Sequence, residues 1–297
     1  MRIVLGCPPM VYPVTPWPSL VIEQGSSKIL VVTDLHLGFE YQLSVMGINI
    51  PSQTPKIQSK LLKIVKEVRP SRLILLGDVK HSISKISLQE WKELPAFFES
   101  ILDLVNTIDI IPGNHDGDLT PLTPRSIRIS SARGIIIDGD EQVGVFHGHA
   151  WPKITLLNAD YLVMGHNHPV IYFEDEFGYR TVRRVWIKAS IDLEKLRNSS
   201  SPYKELKSKD TSSIIPLDRK KLSEMKRLII MPAFNDMLGG LQMNGKPSNS
   251  LLGPLLRSGC VDIDNAEAYL LDGSYLGTID RLRRLVRARR KEKTRTN

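Results

Sequence analysis

Cysteine is scarce in this sequence, and long apolar runs are absent. The two cysteines, Cys7 and Cys260, are far apart and form no closely spaced pair, which argues against a structural zinc site and excludes a disulfide framework. No apolar run approaches the roughly 20 residues that span a bilayer. No internal repeat is visible. We therefore expect a protein without a membrane span, located in the reducing cytoplasm.

Acidic residues are almost missing from the C-terminal end. The chain of 297 residues has a net charge of +8, and residues 281–297 contain nine basic residues and one acidic residue, so residues 1–280 sum to zero. Such a basic tail is typical of nucleic-acid binding, but a solvated helix that keeps the protein soluble has the same composition. Leu282, Leu285 and Val286 follow helical spacing, so part of the tail is also expected to pack on the body.

Five short apolar runs are predicted to be β-strands, and each is followed by polar residues. They lie in the segments "KILVVTDLHLG", "RLILLGD", "TIDIIPGNHDG", "QVGVFHGHAWP" and "DYLVMGHNHP". Helical stretches at 55–70 and 88–105 separate the first runs, and Pro95 is expected to kink or divide the second helix. Strands that alternate with helices indicate an α/β fold with a partly parallel sheet. The fourth and fifth runs are close enough to pair as antiparallel neighbours instead.

The remaining chain is predicted to add a hairpin, an insertion and two strands. The hairpin turns at Phe177-Gly178, and the polar segment 191–224 is expected to be a flexible insertion with one short helix. "RLIIMPAFN" and "AEAYLLDGSYLGTI" are predicted to be two further strands. We thus expect one domain over residues 1–280, followed by the basic tail 281–297.

All of the histidines lie in the polar clusters that follow apolar runs. A single histidine at such a position would be an ordinary turn or core residue, but seven sorted in this way indicate one shared site. The clusters also contain Gly77, Gly113, Gly148 and Gly165, whose missing side chains allow sharp turns and close approach to a ligand. The seven are His36, His81, His115, His147, His149, His166 and His168.

The clusters combine histidine with Asp and Asn, which suits a divalent transition metal. Imidazole favours Mn, Fe, Co or Zn over Mg or Ca, and carboxylates add the negative charge that a cation requires. Asp78 follows an apparently buried strand, where a carboxylate is costly unless a positive charge meets it. The candidate ligands are too many for one ion, so the sequence predicts two.

The order of these motifs resembles that of the calcineurin-like metallophosphoesterases. The series is D-x-H at 34–36, G-D at 77–78, G-N-H-D at 113–116, a strand-end histidine at 147 and G-H-x-H at 165–168. More narrowly, "DLHLGFE", "LLGDVKH", "HGHAWP", "GHNHP", "MPAFNDMLGG" and "AEAYLLDGSYLG" are similar to archaeal SbcD-related phosphoesterases and to phosphoesterases associated with bacterial DNA ligase.

The resemblance implies a two-sheet α/β sandwich flanked by helices, with two divalent metal ions at one edge. Manganese is the first choice of metal, with Fe, Co, Ni or Zn as alternatives. His115 would lie beside the reacting phosphate, oriented by Asp116, and His81 and His149 would support the ligands or touch substrate oxygens. One metal would be held by Asp34, His36 and His168, the other by Asn114, His147 and His166, with Asp78 bridging both.

The activity implied is that of a phosphodiesterase, specifically a nuclease that acts on DNA in repair. A phosphatase or cyclic phosphodiesterase for small substrates is an alternative, and a non-catalytic scaffold with this fold is another. The resemblance also implies a helicase, ligase or ATPase partner, and the oligomeric state stays open. Asn235 in "MPAFNDMLGG" lines the substrate cleft or belongs to a plain turn. Trp17-Pro18 and Trp151-Pro152 stack on a base or pack in the core.

Overall fold

The structure is a computed structural model that describes residues 11–83, 85–139, 141–175, 177–198, 202, 226–245 and 251–296. Cys7 and most of the predicted insertion 191–224 therefore lie outside the described residues. Within that insertion the structure shows the end of one strand and a short helix at Leu193–Asn198. Cys260 is a buried free thiol.

A six-stranded sheet forms the N-terminal half, with its strands in sequence order. The first three strands pair as antiparallel neighbours, and the third to the sixth are parallel. The strands are β1 (Val11–Pro13), β2 (Ser19–Gln24), β3 (Ser27–Val32), β4 (Arg72–Leu75), β5 (Thr107–Ile110) and β6 (Arg128–Ile129). The predictions for β3, β4 and β5 are confirmed, whereas β1 and β2 were not anticipated.

A second, nine-stranded sheet is formed by the remaining strands. They are β7 (Ile135–Ile137), β8 (Val143–Val145), β9 (Tyr161–Met164), β10 (Pro169–Glu174), β11 (Arg180–Ile191), β12 (Lys226–Ile230), β13 (Leu241–Gln242), β14 (Val261–Leu270) and β15 (Tyr275–Thr278). The order is β13-β10-β11-β12-β9-β8-β7, and β14 pairs with β11 and β15. β8 and β9 are parallel, so the antiparallel alternative is wrong.

The β10–β11 hairpin confirms the predicted turn. The two strands are antiparallel, and Gly178 between them has a φ of 85°, a left-handed conformation that glycine adopts at little cost. The segment predicted as one strand near the C-terminus is instead the hairpin β14–β15, which are antiparallel. Leu271 and Asp272 make the turn, and Gly273 after them has a φ of 87°.

The described part of the chain contains six α-helices, which accompany the sheets. They are α1 (Phe39–Val45), α2 (Thr54–Val68), α3 (Leu88–Leu102), α4 (Leu193–Asn198), α5 (Pro254–Arg257) and α6 (Ile279–Thr296). A capping box between Ser87 and Glu90 begins α3, because each residue satisfies a backbone N–H that the first turn leaves unpaired. Pro95 lies inside α3 without dividing it, so the predicted division is wrong. Of the described helices, none combines the length and apolarity required to cross a bilayer.

Alternation along β3 shows how the layers form. Ile29 and Val31 point into an apolar layer shared with the second sheet, which includes Val163 and Trp186. Leu30 and Val32 point to the opposite face, which α2 and α3 cover, as the two-residue period of a strand requires. A third cluster joins the outer face of the second sheet to α4, α5 and α6. The predicted two-sheet sandwich flanked by helices is confirmed.

The predicted basic tail begins inside α6. Ile279 and Leu282 are buried in the core of the second sheet. The Arg283 guanidinium is also buried, donates from Nε to the Met243 carbonyl oxygen at 3.2 Å and pairs with Asp264. Leu285 is 54% exposed. The first turns of α6 therefore pack on the body, as the apolar spacing predicts, while Leu285 contributes little.

Candidate metal centre

Five loops that follow parallel strands meet at one edge of the sandwich. β3, β4 and β5 are parallel neighbours, and so are β8 and β9, so each sheet presents the carboxyl ends of its parallel strands together. The loops carry Asp34 and His36, Asp78, the 114–116 segment, His147 and His149, and His166 and His168.

The backbone of these loops is unusual. Within the described ranges, six residues other than glycine have a positive φ between 42° and 69°. One is Arg69 at the C-cap of α2; the others are Asp34, His36, Asp78, His166 and His168. Left-handed conformations cost most residues free energy and concentrate at functional sites. Five of the seven predicted metal ligands are thus held in conformations that their own sequence disfavours.

Asp34, His36 and His168 form the first group of ligand atoms. Each contributes one atom, and these atoms lie within 4.8 Å of one another. His168 Nε2 is 3.1 Å from Asp34 Oδ1, and His36 Nε2 is 3.4 Å from Asp78 Oδ2. This group can hold one ion, and the Asp78 carboxylate lies next to it.

Asp78, His147 and His166 form the second group, again with ligand atoms within 4.8 Å. His147 Nε2 is 3.2 Å from Asp78 Oδ2 and 3.8 Å from Asp34 Oδ1. The exposed Asn114 lines the same groove as His166. The Asp78 carboxylate therefore faces both groups, which is the placement that a bridging ligand requires.

Buried polar atoms without hydrogen-bond partners test whether a metal fits here. Among the described residues such atoms include Asp34 Oδ1, His36 Nε2, His147 Nε2 and His168 Nε2, each of which lies 3.1–3.4 Å from an oppositely charged or polar neighbour but outside hydrogen-bonding geometry. Buried polar atoms normally find a partner, and these four belong to the two groups. Nitrogen and carboxylate donors suit a divalent transition metal, so the residues present fit the ions that the sequence predicts.

Neighbouring backbone groups orient the ligands. His147 Nδ1 lies 2.8 Å from the Leu76 carbonyl oxygen, and His168 Nδ1 lies 3.3 Å from that of Gly239. A proton on each Nδ1 leaves Nε2 free to bind a metal. Asp34 Oδ2 accepts from the Thr33 hydroxyl at 2.9 Å and from the His166 backbone N–H at 3.1 Å. Sequence reasoning did not single out Thr33, because a threonine before a D-x-H motif carries no distinctive signal.

The charges of the two carboxylates are balanced within the site. Burial lowers the pKa of His36 to about 3 despite the nearby Asp78. Burial also disfavours charge on His147, but Asp78 and Asp34 outweigh it and raise the His147 pKa to about 9. Burial raises the pKa of Asp34, but His168 and His147 outweigh it and lower that pKa to about 2. The site thus stabilises positive charge between the carboxylates, and a divalent ion would supply it while releasing protons.

His115 is oriented by a different group from the one expected. Its Nδ1 contacts the His81 carbonyl oxygen, and its backbone N–H donates to Asp78 Oδ1 at 2.9 Å. The Asp116 carboxylate is buried and accepts from the backbone N–H groups of Val79, Lys80 and Gly113. The expectation that Asp116 orients His115 is therefore wrong, because Asp116 is used to hold two loops together.

The other three candidate residues have different surroundings. His81 Nδ1 lies 3.1 Å from His36 Nδ1, so His81 supports a predicted ligand. His149 lies beside His147 with ring centroids 5.4 Å apart. Asn235 is 1% exposed and donates from Nδ2 to the Leu35 carbonyl oxygen at 2.9 Å, while its Oδ1 accepts from the Met237 N–H. Asn235 therefore holds the Asp34–His36 loop and does not line an open cleft, which corrects that alternative.

Gly113 approaches the shared carboxylate closely enough to exclude any side chain. A Cβ at this position would lie 2.1 Å from Asp78 Oδ1 and 2.4 Å from the Asp78 backbone nitrogen. We expect Gly113→Ala to displace Asp78 and to lose most bound metal and turnover, measured by metal analysis of the purified protein and by a diesterase assay. Gly117→Ala is the matched control, since nothing lies within 4 Å of its added Cβ. Equal metal content in the two variants would contradict this expectation.

A two-sheet sandwich with two linked groups of metal-ligand atoms at one edge defines a metal-dependent hydrolase. The family model described as calcineurin-like phosphoesterase matches residues 27–194, which is more than half of the 297 residues. The chain belongs to the calcineurin-like phosphoesterase family. It is therefore placed among phosphoester hydrolases that use divalent metals. No curated protein matches the chain.

Several solved structures resemble the chain at low identity. The nuclease MPE of Pseudomonas putida is 16% identical, with a TM-score of 0.48 over 87% of this chain and 100% of that chain. The protein of unknown function AQ665 from Aquifex aeolicus is 20% identical, with a TM-score of 0.35 over 47% and 78%. The phosphoesterase Yfce from E. coli is 15% identical, with a TM-score of 0.33 over 50% and 73%. With TM-scores below 0.5, these likenesses assign no substrate to the chain.

Proposed function

We propose that this protein is a two-metal phosphodiesterase that acts on nucleic acid, with DNA favoured, and that it belongs with the SbcD-related and ligase-associated phosphoesterases. The observation that carries the proposal is the placement of the Asp78 carboxylate between two groups of ligand atoms, 3.4 Å from His36 Nε2 and 3.2 Å from His147 Nε2. A structural site for a single ion would not require a shared carboxylate.

The proposed ligands divide between the two ions. Manganese is the proposed metal, because imidazole and carboxylate donors together suit it better than they suit Ca or Mg. When bound, the pair of ions lowers the pKa of water and neutralises charge on the phosphoryl oxygens. The first ion would be held by Asp34, His36, His168 and Asp78, and the second by Asp78, Asn114, His147 and His166.

His115 is the proposed proton donor to the leaving oxygen. Its backbone N–H is bonded to Asp78 Oδ1 and its Nδ1 faces the His81 carbonyl oxygen, so the ring is fixed beside the shared ligand and its orientation is set before substrate binds. A preorganised acid of this type contributes about 10²–10⁴ to the rate. His81 keeps His115 and His36 in place, since its carbonyl oxygen contacts one ring and its Nδ1 contacts the other.

A direct assay tests the proposal. The full chain is freed of metal, then supplied with Mn, Co, Ni, Zn or Mg, and offered single-stranded DNA, duplex DNA, RNA and a chromogenic diester side by side. We expect hydrolysis that depends on added metal, strongest with Mn and on polynucleotide. Hydrolysis of the chromogenic diester alone would favour the small-substrate enzyme. Absence of hydrolysis with every metal and substrate would favour the non-catalytic scaffold.

The basic end of α6 supports the nucleic-acid assignment and gives a second test. Residues 288–297 contain five basic residues and one acidic residue. Their removal spares Ile279, Leu282 and Arg283, which are buried against the body. We expect this deletion to lower the ratio of DNA to small-diester activity at least about tenfold. It should also flatten the log–log salt dependence of single-stranded DNA binding by about 0.7 for each phosphate that the tail neutralises. An unchanged ratio and slope would show that the tail does not bind the substrate.

A further inference from the structure

A groove of about 1020 Å³ adjoins the metal centre on its second-ion side. Asn114 and His166, two of the proposed ligands, line it. The other lining residues include His149, Trp151, Leu252, Pro254 and Arg257. This volume is just above the roughly 300–1,000 Å³ typical of small-molecule sites. A substituent on a phosphate held at the metals would therefore extend into this groove.

Leu252 and Gly253, which line the groove, are held against the metal-ligand loops. Asn167 is 2% exposed; its Nδ2 donates to the Leu252 carbonyl oxygen at 3.3 Å, and its Oδ1 accepts from the Leu252 N–H at 3.0 Å. Gly253 lies so close that a Cβ there would be 2.1 Å from the Gly148 carbonyl oxygen. Leu252 and Gly253 thus have a fixed position relative to His147 and His166. A preformed groove of this kind binds its ligand with little ordering cost.

The chemistry of the lining points to one kind of occupant. Trp151 offers an aromatic ring, and the side chains of Leu252 and Pro254 are apolar, so flat, weakly polar groups are favoured. Arg257 is exposed and donates from Nε to the Leu251 carbonyl oxygen at 2.9 Å. This bond orients the guanidinium, and among the described residues its two terminal nitrogens have no protein partner, so they can bind an anion. Bases stack on aromatic rings regardless of sequence, and a guanidinium pairs well with phosphate.

We propose that this groove binds the nucleoside attached to the scissile phosphate of a single-stranded polynucleotide, with its base against Trp151 and the next phosphate near Arg257. The inference deepens the proposed function, since it names a substrate site beside the same metals. Trp151 and Trp17 are both partly buried against a core, Trp151 against that of the second sheet and Trp17 against the α2–α3 core. Trp151 differs in that it also lines the groove beside the metal centre, whereas the Trp17 ring has Lys63 Nζ 5.2 Å from its centroid.

Equilibrium binding tests the groove without any hydrolysis. A fluorescently labelled single-stranded hexathymidylate is titrated with the full chain in EDTA, and Kd is compared for Trp151→Leu and Trp17→Leu. We expect Trp151→Leu to raise Kd at least about fivefold, as loss of one stacked base does, and Trp17→Leu to leave it unchanged. Equal Kd values for the two variants, both folded by circular dichroism, would overturn the inference.

Arg257 provides a variant that does not touch the core. We expect Arg257→Gln to weaken hexathymidylate binding and to reduce the slope of log K against log salt by about 0.7, the value for one neutralised phosphate on a single strand. Arg180→Gln is the matched control, because Arg180 is an exposed arginine of the β10–β11 hairpin that pairs with Glu174. An identical slope in the two variants would remove Arg257 from the site.

A pair of substrates separates failure of the groove from failure of the proposed function. The 4-nitrophenyl ester of thymidine 5′-monophosphate and methyl 4-nitrophenyl phosphate share their leaving group and differ in the nucleoside. We expect Trp151→Leu to lower the ratio of their kcat/KM values at least about fivefold. A purely structural role for Trp151 would lower both values together and leave the ratio unchanged, which would overturn the inference while the phosphodiesterase assignment stands. If the wild type hydrolyses neither ester, the binding titration alone decides the groove, and the DNA assay decides the phosphodiesterase assignment.

Discussion

Replacing Asp78 by Asn is expected to remove nearly all hydrolytic activity, by more than about 100-fold, and to weaken metal binding at both sites. The Asp78 carboxylate lies 3.4 Å from His36 Nε2 in one group of ligand atoms and 3.2 Å from His147 Nε2 in the other. Asn keeps the shape but carries no charge and only one oxygen. It therefore cannot bridge two cations, and every other predicted ligand serves a single ion.

Metal content and turnover must be measured on the same preparation of Asp78→Asn. Calorimetric titration of the metal-free variant with Mn should show weaker binding at both sites, where a variant at a single-site ligand such as His168 should spare one. Asp109→Asn is a useful control, since Asp109 is a fully buried carboxylate on β5 whose partners are Arg72 and Arg128 and not any predicted ligand. That variant should lose thermal stability and keep its metal. Wild-type rates with full metal content in Asp78→Asn would refute the bridging assignment.

His115→Gln is expected to keep both metals and to lose about 10²–10⁴ in turnover. The bond from residue 115 to Asp78 Oδ1 comes from the backbone N–H, so it survives the substitution. Gln retains a polar side chain next to the His81 carbonyl oxygen but has no proton to transfer at neutral pH. The variant therefore keeps the contact that supports the metal site and removes only the proton that would be transferred.

The leaving group distinguishes a proton donor from a group that merely binds phosphate. DNA releases an alkoxide that requires a proton, whereas 4-nitrophenolate leaves without one. The loss in His115→Gln should therefore be much larger on DNA than on a 4-nitrophenyl diester. Equal losses on both substrates would contradict the acid role, and loss of metal would instead make His115 a ligand.

The strand ends of the metal centre were predictable because they follow a simple pattern. Five of the parallel strands are short apolar runs, and Asp, His or Asn follows within a few residues of where each run stops. Parallel neighbours align their carboxyl ends, so the residues that follow β3, β4, β5, β8 and β9 are expected at one edge, and the structure places them there. β1 and β2 were missed because Pro13, Pro16 and Pro18 interrupt the apolar pattern on which strand prediction relies.

Contacts between distant segments could not be predicted in the same way. Asn235 reaches the Leu35 carbonyl oxygen across 200 residues, and Asn167 holds Leu252 across 85. Nothing in the local sequence around either asparagine announces its partner, because a buried amide and a turn amide have the same neighbours along the chain. Asp116 was assigned to the wrong contact for a related reason. Its adjacency to His115 in the sequence suggested an interaction with that ring, but its carboxylate accepts from three backbone N–H groups in two loops.

The left-handed ligand residues have a consequence for any attempt to engineer this protein. Glycine at one of these positions would relieve about 1 kcal/mol or more of backbone strain and would at the same time delete a metal donor. Selection for thermal stability alone would therefore enrich variants that lack a metal ligand and have no activity. Substitution by glycine is expected to raise the melting temperature and to lower activity at each of five positions, namely Asp34, His36, Asp78, His166 and His168.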